Sequence, residues 1–290
     1  MNKIALGTAQ FGMKYGISNQ SGIVPPEEIM SILKIADKVG VDTLDTAINY
    51  MDSENYLGEN NISNFKIITK IPAVPNQIDD IDAWVVNQLQ SSLQRLKVTN
   101  LYGLLLHSPE DLLGINGPLI YKALRSLKDS GKVLKIGISI NSFDTLKKIL
   151  DLYKFDLIQS PFNLVDRRLI KTGFLNRLKN ENYEVHTRSA FLQGLLLMNE
   201  FNRPIKFAKW NHLWSELSKW TSLNSESLLQ SAIQFPLSFS EIDRVVIGVE
   251  NTQQLLEIYQ AVYHQKKSYS FPNIECESID LINPSKWINF

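Results

Sequence analysis

What most constrains this chain is a rhythm. Eight short apolar runs recur from end to end, with amphipathic stretches between them. The runs are Ile4–Gly7, Asp42–Leu44, Lys66–Thr69, Leu101–Leu106, Lys135–Ser139, Phe155–Gln159, Glu184–Arg188 and Arg244–Ile247. Each is continuous and does not alternate with polar residues, the pattern of strands covered on both faces. In the intervals, Val85, Leu89, Leu93 and Leu96 repeat at helical spacing. So do Ile120, Ala123, Leu124 and Leu127, and Leu228, Ala232 and Phe235. Pro25-Pro26 marks one helix start, Gly40 and Gly131 mark helix ends, and Ser225 and Thr252 are expected N-caps.

Eight strand–helix pairs predict an α/β fold, a parallel (β/α)8 TIM barrel, with residues 1–290 as a single domain. The rival is an open doubly wound sheet. It would place a GxGxxG turn after the first strand, and Gly7, Gly12 and Gly16 have the wrong spacing for one. With 290 residues and 44% hydrophobic content, the chain can bury a sizeable core. Two stretches stand apart. A long loop over about 190–224 follows the seventh strand and carries Trp210, Trp214 and Trp220, which either wall a pocket or pack an inserted helix. The tail, about 268–290, reads as irregular.

Composition narrows the function classes. Thirty basic residues balance thirty acidic ones, which gives no electrostatic reason for a nucleic-acid partner or an anionic membrane surface. The single cysteine, Cys276, makes no internal disulfide and no thiolate zinc site. No metal is expected, because His186, His212 and His264 lack partners at ligand spacing. With no signal-peptide core and no run of roughly 20 apolar residues, the expected location is the cytoplasm, without a membrane partner. Oligomeric state is not legible.

Ionisable and polar residues gather where the strands end. Asp45, Lys70, His107, Ser139 and Gln159 stand at successive carboxyl ends, and Tyr50 follows Asp45 by five residues. In a barrel all of these share one rim. Singly, each has an ordinary explanation: a cap, a packing ring, a solvated amine, a satisfied core imidazole. Together they complete one mechanism, hydride transfer to a carbonyl. The carbonyl oxygen needs a proton as charge builds on it. A tyrosine has a pKa of about 10, and a neighbouring ammonium held by a carboxylate is expected to lower it. A histidine can hydrogen-bond the same oxygen.

Several segments carry a resemblance in order. They are Leu6-Gly7-Thr8-Ala9-Gln10-Phe11-Gly12, Leu44-Asp45-Thr46-Ala47 with Tyr50, Ser53-Glu54 and Leu57-Gly58, Ile68-Thr69-Lys70, Leu105-Leu106-His107, and Gly131 through Ser139. Across essentially its whole length the chain resembles the aldo-keto reductases. The resemblance implies a catalytic tetrad of Asp45, Tyr50, Lys70 and His107, a small carbonyl substrate, and bound NADPH. Ser139 and Gln159 match positions that hold the nicotinamide amide, although Ile140 follows the serine where many members have asparagine, with Asn141 one further on. Arg188 stands where many members stack a ring on the nicotinamide, and a planar guanidinium can do the same. Ser189, Phe191, Gln193 and Gly194 resemble the loop over the pyrophosphate. Gly7 and Thr8 match the first turn. Gly248, Val249, Glu250 and Gln254 match the loop and helix start that receive the adenosine end. That helix start favours an anion, but Glu250 and Gln254 replace the usual basic residues, so NADH or dual use stays open.

The substrate is expected to meet Phe11, Met51, Trp210 and Trp287. The segment Gly7–Asn19 also resembles a bacterial subgroup linked with surface-sugar biosynthesis, which implies a keto-sugar or a sugar-derived aldehyde. Two other classes remain open. One is a nicotinamide-binding sensor with little turnover. The other is a Schiff-base aldolase using Lys70 as nucleophile.

Overall fold

The computed structural model describes residues 3–75, 77–263 and 270–289. His264 and the start and end of the tail therefore lie outside the described residues. The strands are β1 (Ile4–Gly7), β2 (Thr43–Asp45), β3 (Lys66–Ile71), β4 (Leu101–Leu106), β5 (Val133–Ser139), β6 (Leu157–Pro161), β7 (Glu184–Arg188) and β8 (Arg244–Gly248). Each pairs in parallel with the next, and β8 pairs with β1, which closes the barrel in sequence order. The doubly wound rival is thus excluded.

The strands are nearly all buried because helices cover them outside and side chains fill them inside. Ile68, Leu105 and Leu157 form an inner cluster, while the larger core lies between strands and helices. Gly137 makes room for the inner cluster: a Cβ there would fall 2.6 Å from Leu105 Cδ2 and 2.2 Å from the Leu157 carbonyl oxygen. Near the amino-terminal ends of the strands lies a polar network. The Glu184 carboxylate accepts hydrogen bonds from the Tyr102 hydroxyl at 2.7 Å and from Lys135, and lies 2.6 Å from His186 Nε2.

Two expected caps shift. Ser225 ends the helix Asn211–Asn224 in a left-handed conformation, φ 53°. The N-cap of the next helix, Leu228–Leu237, is Ser227, because Gln230 three residues on completes a reciprocal capping box. Thr252 is already the first residue of the helix Thr252–Tyr263, and the side chain of Asn251 takes the capping role, accepting the Gln254 N–H at 2.9 Å.

The long segment after β7 is structured, with three short 3-10 turns leading into Asn211–Asn224. Trp210 and Trp214 are buried there. Within the tail, the described part holds a helix Ile279–Ile282 and a 3-10 turn Pro284–Asn289, so it is less irregular than expected. No helix among the described residues is long and apolar enough to cross a membrane.

Candidate active site

Strand ends place the candidate residues. Asp45 ends β2, Lys70 is one residue from the end of β3, His107 follows β4, Ser139 ends β5 and Arg188 ends β7. Tyr50 lies on the loop after β2, and that loop is pinned. Ser53 Oγ lies 2.9 Å from the Thr8 carbonyl oxygen, 2.8 Å from Thr8 Oγ1 and 3.1 Å from Thr46 Oγ1. The turn after β1 presses directly on it: a Cβ on Gly12 would fall 1.8 Å from the Tyr50 carbonyl oxygen. A larger residue at position 12 would push Tyr50 out of place.

At the centre, Lys70 Nζ donates to Asp45 Oδ1 at 2.6 Å and to the Thr46 carbonyl at 2.9 Å. The other Asp45 oxygen accepts Gln159 Nε2 at 2.7 Å, and Gln159 Oε1 lies 3.2 Å from Ser139 Oγ. Ser139 and Gln159 are therefore tied to the carboxylate in this structure. The ammonium of Lys70 stands 5.3 Å from the centre of the Tyr50 ring, and His107 meets that ring edge-on at 6.0 Å.

The electrostatics differ from the sequence expectation in one respect. Burial, then the Asp45 carboxylate and Tyr15, push the Tyr50 hydroxyl above its ordinary value. These outweigh the lowering pull of Arg188, so the phenol keeps its proton at neutral pH. Burial also lowers Lys70, against the pull of Asp45. His107 is lowered to about 4 by burial, then by Lys70 and Arg188, so its imidazole is neutral. Its Nδ1 is buried without a hydrogen-bond partner.

From Tyr50 a cleft of about 310 Å³ runs to the start of the helix Thr252–Tyr263. It brings together Gly7, Thr8, Asp45, Tyr50, Arg188, Ser189, Phe191, Gln193, Gly194, Gly248, Glu250 and Gln254. It also exposes residues that sequence reasoning missed, among them Gln10, Ser18 and Glu257. Glu257 lies one helical turn beyond Gln254, a spacing that could have revealed it.

The guanidinium of Arg188 is oriented by the Ile140 carbonyl at 2.9 Å and by Asn141 Oδ1 at 2.6 Å. Asn163 Nδ2 holds the Ser189 carbonyl at 3.0 Å. Along the following loop, Ser189, Leu192, Gln193 and Gly194 all have positive φ. The amides of Ala190, Phe191 and Gln193 have no partner among the described residues. Such turns form concavities of N–H groups suited to phosphate oxygens. The cleft is elongated, with the Tyr50 phenol at one end and unpaired amides along its wall that could hold the phosphates of a cofactor.

The expected substrate contacts fare differently. Phe11 is fully buried, and Trp210 and Trp287 pack around Phe207, at 6.1 and 4.9 Å between ring centres, away from the cleft lining. The Trp287 indole already donates to the Asp280 carbonyl at 3.0 Å, so the tail tryptophan closes a core and does not wall the cleft. Val249, expected at the cofactor, is likewise buried and does not line the cleft. Met51 is 68% exposed in a left-handed conformation beside Tyr50.

Comparison with known proteins supplies the frame for this geometry. The chain is 26% identical over 182 residues to L-glyceraldehyde 3-phosphate reductase of Escherichia coli K12, covering 54% of this chain and 51% of that protein. It thus spans about half the length of the curated relative it matches. Among solved structures it superposes on an aldo-keto reductase from Bacillus halodurans in its holo form, with a TM-score of 0.73 and 19% identity over 92% of this chain and 88% of that one. It also superposes on glycerol dehydrogenase from Gluconobacter oxydans, with a TM-score of 0.69 and 20% identity over 92% and 88%. At that identity these likenesses show the fold. The model of the aldo/keto reductase family matches residues 3–277, and the chain belongs to that family.

Proposed function

We propose that this protein is an oxidoreductase that reduces an aldehyde or ketone to an alcohol, with Tyr50 as the proton donor and a nicotinamide cofactor lying along the cleft. The observation that carries the reading is the placement of Tyr50. Tyr50 lines the cleft beside Asp45, and the buried ammonium of Lys70, paired with that carboxylate, stands 5.3 Å from the centre of its ring. When bound, a reduced nicotinamide supplies hydride. The protein's own part is positional and electrostatic. Tyr50 holds a proton at neutral pH and releases it to the carbonyl oxygen as charge develops there. Neutral His107 orients the same oxygen. Asp45 holds the Lys70 ammonium in place beside the phenol, and the worth of that ammonium rises as the phenol becomes phenolate. Gly194 and the amides before it would hold the pyrophosphate, and Arg188 would lie against the nicotinamide ring.

The substrate is proposed to be small and polyhydroxylated, a keto-sugar or sugar-derived aldehyde. Tyr15 supplies a polar group at the Tyr50 end of the cleft, and the curated relative acts on a three-carbon sugar phosphate by its name. The aldolase alternative loses support, because Lys70 is 1% exposed and does not line the cleft. The test is single-turnover oxidation of bound NADH or NADPH by a reactive aldehyde, followed by loss of nicotinamide fluorescence. Turnover in the wild type supports a reductase. Tight binding without turnover across a panel of aldehydes would favour a sensor.

A further inference from the structure

The cleft has two chemically distinct ends. Tyr50 marks the reacting end, so a dinucleotide with its nicotinamide there must place its adenosine ribose at the far end, against Gly248, Glu250, Gln254 and Glu257. That far end begins a helix, and a helix start ordinarily welcomes an anion through its free amides. Here three amides of this turn are already used. The Thr252 N–H donates to Glu28 Oε1 at 2.5 Å, the Gln254 N–H to Asn251 Oδ1 at 2.9 Å, and the Glu250 N–H to Gln254 Oε1 at 2.8 Å. One of the three acceptors is a carboxylate, which answers the helix dipole from within the chain.

The side chains point the same way. Among the described residues lining the cleft, Arg188 is the only basic one, and it stands at the Tyr50 end. At the adenosine end the ionisable groups are Glu250 and Glu257. The Glu257 side chain accepts from Gln253 at 2.8 Å and is exposed. The Glu250 carboxylate is half-buried and has neither an ion pair nor a hydrogen bond among the described residues; burial raises its pKa. It is an acceptor with spare lone pairs, and a ribose diol is a donor with two O–H groups. A carboxylate that accepts from the 2′-hydroxyl cannot also tolerate a dianionic phosphate on that oxygen.

We infer that the adenosine end selects against a 2′-phosphate, so that the enzyme uses NADH in preference to NADPH, with Glu250 as the discriminating residue. This rests on the reading of the cleft as a dinucleotide site.

The experiment is calorimetric titration of the purified protein with four ligands: NADH, NADPH, ADP-ribose and 2′-phospho-ADP-ribose. The last pair isolates the adenosine end from the reacting end. The unphosphorylated ligand of each pair should bind about tenfold tighter or more, as expected for a like charge brought against a half-buried carboxylate. Glu250→Gln should narrow that ratio severalfold, and Glu250→Lys should reverse it. Unchanged far-ultraviolet circular dichroism checks that both variants fold. Equal or tighter binding of the phosphorylated ligands by the wild type overturns the inference while leaving the reductase reading intact. A ratio that neither substitution moves overturns the role of Glu250. If none of the four binds, the dinucleotide reading itself fails, and the inference with it.

Discussion

Lys70 and Asp45 form a 2.6 Å ion pair in which neither side chain is more than 4% exposed. Buried this deeply, each charge depends on the other. Removing one leaves an uncompensated ion in a low-dielectric interior, which costs about 3–5 kcal/mol. Asp45→Ala should therefore lower stability by about that amount in urea unfolding at pH 7. The double variant Asp45→Ala/Lys70→Met should recover part of the loss, since it removes both charges. Strict additivity of the two single effects would mean that the pair is not energetically coupled.

Tyr50 and Lys70 should separate in a kinetic comparison. Tyr50→Phe removes the proton but leaves the ring in the cleft. Carbonyl reduction is expected to fall by about 10²- to 10⁴-fold, the usual worth of a positioned general acid. Cofactor affinity, read by fluorescence, should stay near wild type. Lys70→Met leaves the proton in place but removes the cation that stabilises the phenolate left behind when the proton moves, so it should slow reduction and move the pH profile. A Tyr50→Phe enzyme within tenfold of wild type would remove Tyr50 from the acid role.

The barrel is legible in the sequence because its strands are covered on both faces. Burial makes runs such as Leu101–Leu106 uniformly apolar, and the helix periodicity between them is strong. The gathering of Asp45, Lys70 and His107 is legible for a related reason: strand ends converge in a closed barrel. What escapes is whatever depends on tertiary surroundings. The sequence places an ammonium near Tyr50 but cannot show that burial and the Asp45 carboxylate together push the phenol up. Trp210 and Trp287 look like pocket walls because they are large and sit in the long segment and the tail, yet they meet around Phe207. Ser225 and Ser227 are equally good caps by residue type. The local signal is Gln230, three residues after Ser227, where Ser225 has Leu228 at the same spacing.

His107 gives a pH signature. Its folded value of about 4 lies below its ordinary value of 6.5, chiefly through burial. As pH falls, the unfolded chain takes up this proton first. The contribution is therefore fully present above about pH 6.5 and is lost as pH falls towards 4. The thermal midpoint of the wild type should drop between pH 7 and pH 5, and His107→Gln should flatten that drop. An equal drop in the variant would assign it to other groups.

Glu184 offers a test at the opposite end of the barrel. It opens β7, whereas Arg188 closes it, so four residue steps of about 3.3 Å separate the two mouths. Burial opposes ionisation of Glu184, but the hydrogen bonds from His186, Lys135 and Tyr102 outweigh it and hold the carboxyl well below the ordinary range. A carboxyl lowered on folding contributes stability above its unfolded value, about 4.3, and loses that contribution as pH falls below it. Glu184→Gln keeps the shape and removes the charge, leaving Lys135 and His186 without their anion. At pH 7 it should cost about 1–3 kcal/mol in urea unfolding. The gap between variant and wild type should shrink below about pH 4, where the carboxyl advantage of the wild type fades. Because the network lies far from Tyr50, kcat/KM at pH 7 should stay near wild type. A gap that persists unchanged into acid would show that Glu184 acts by packing and not by charge.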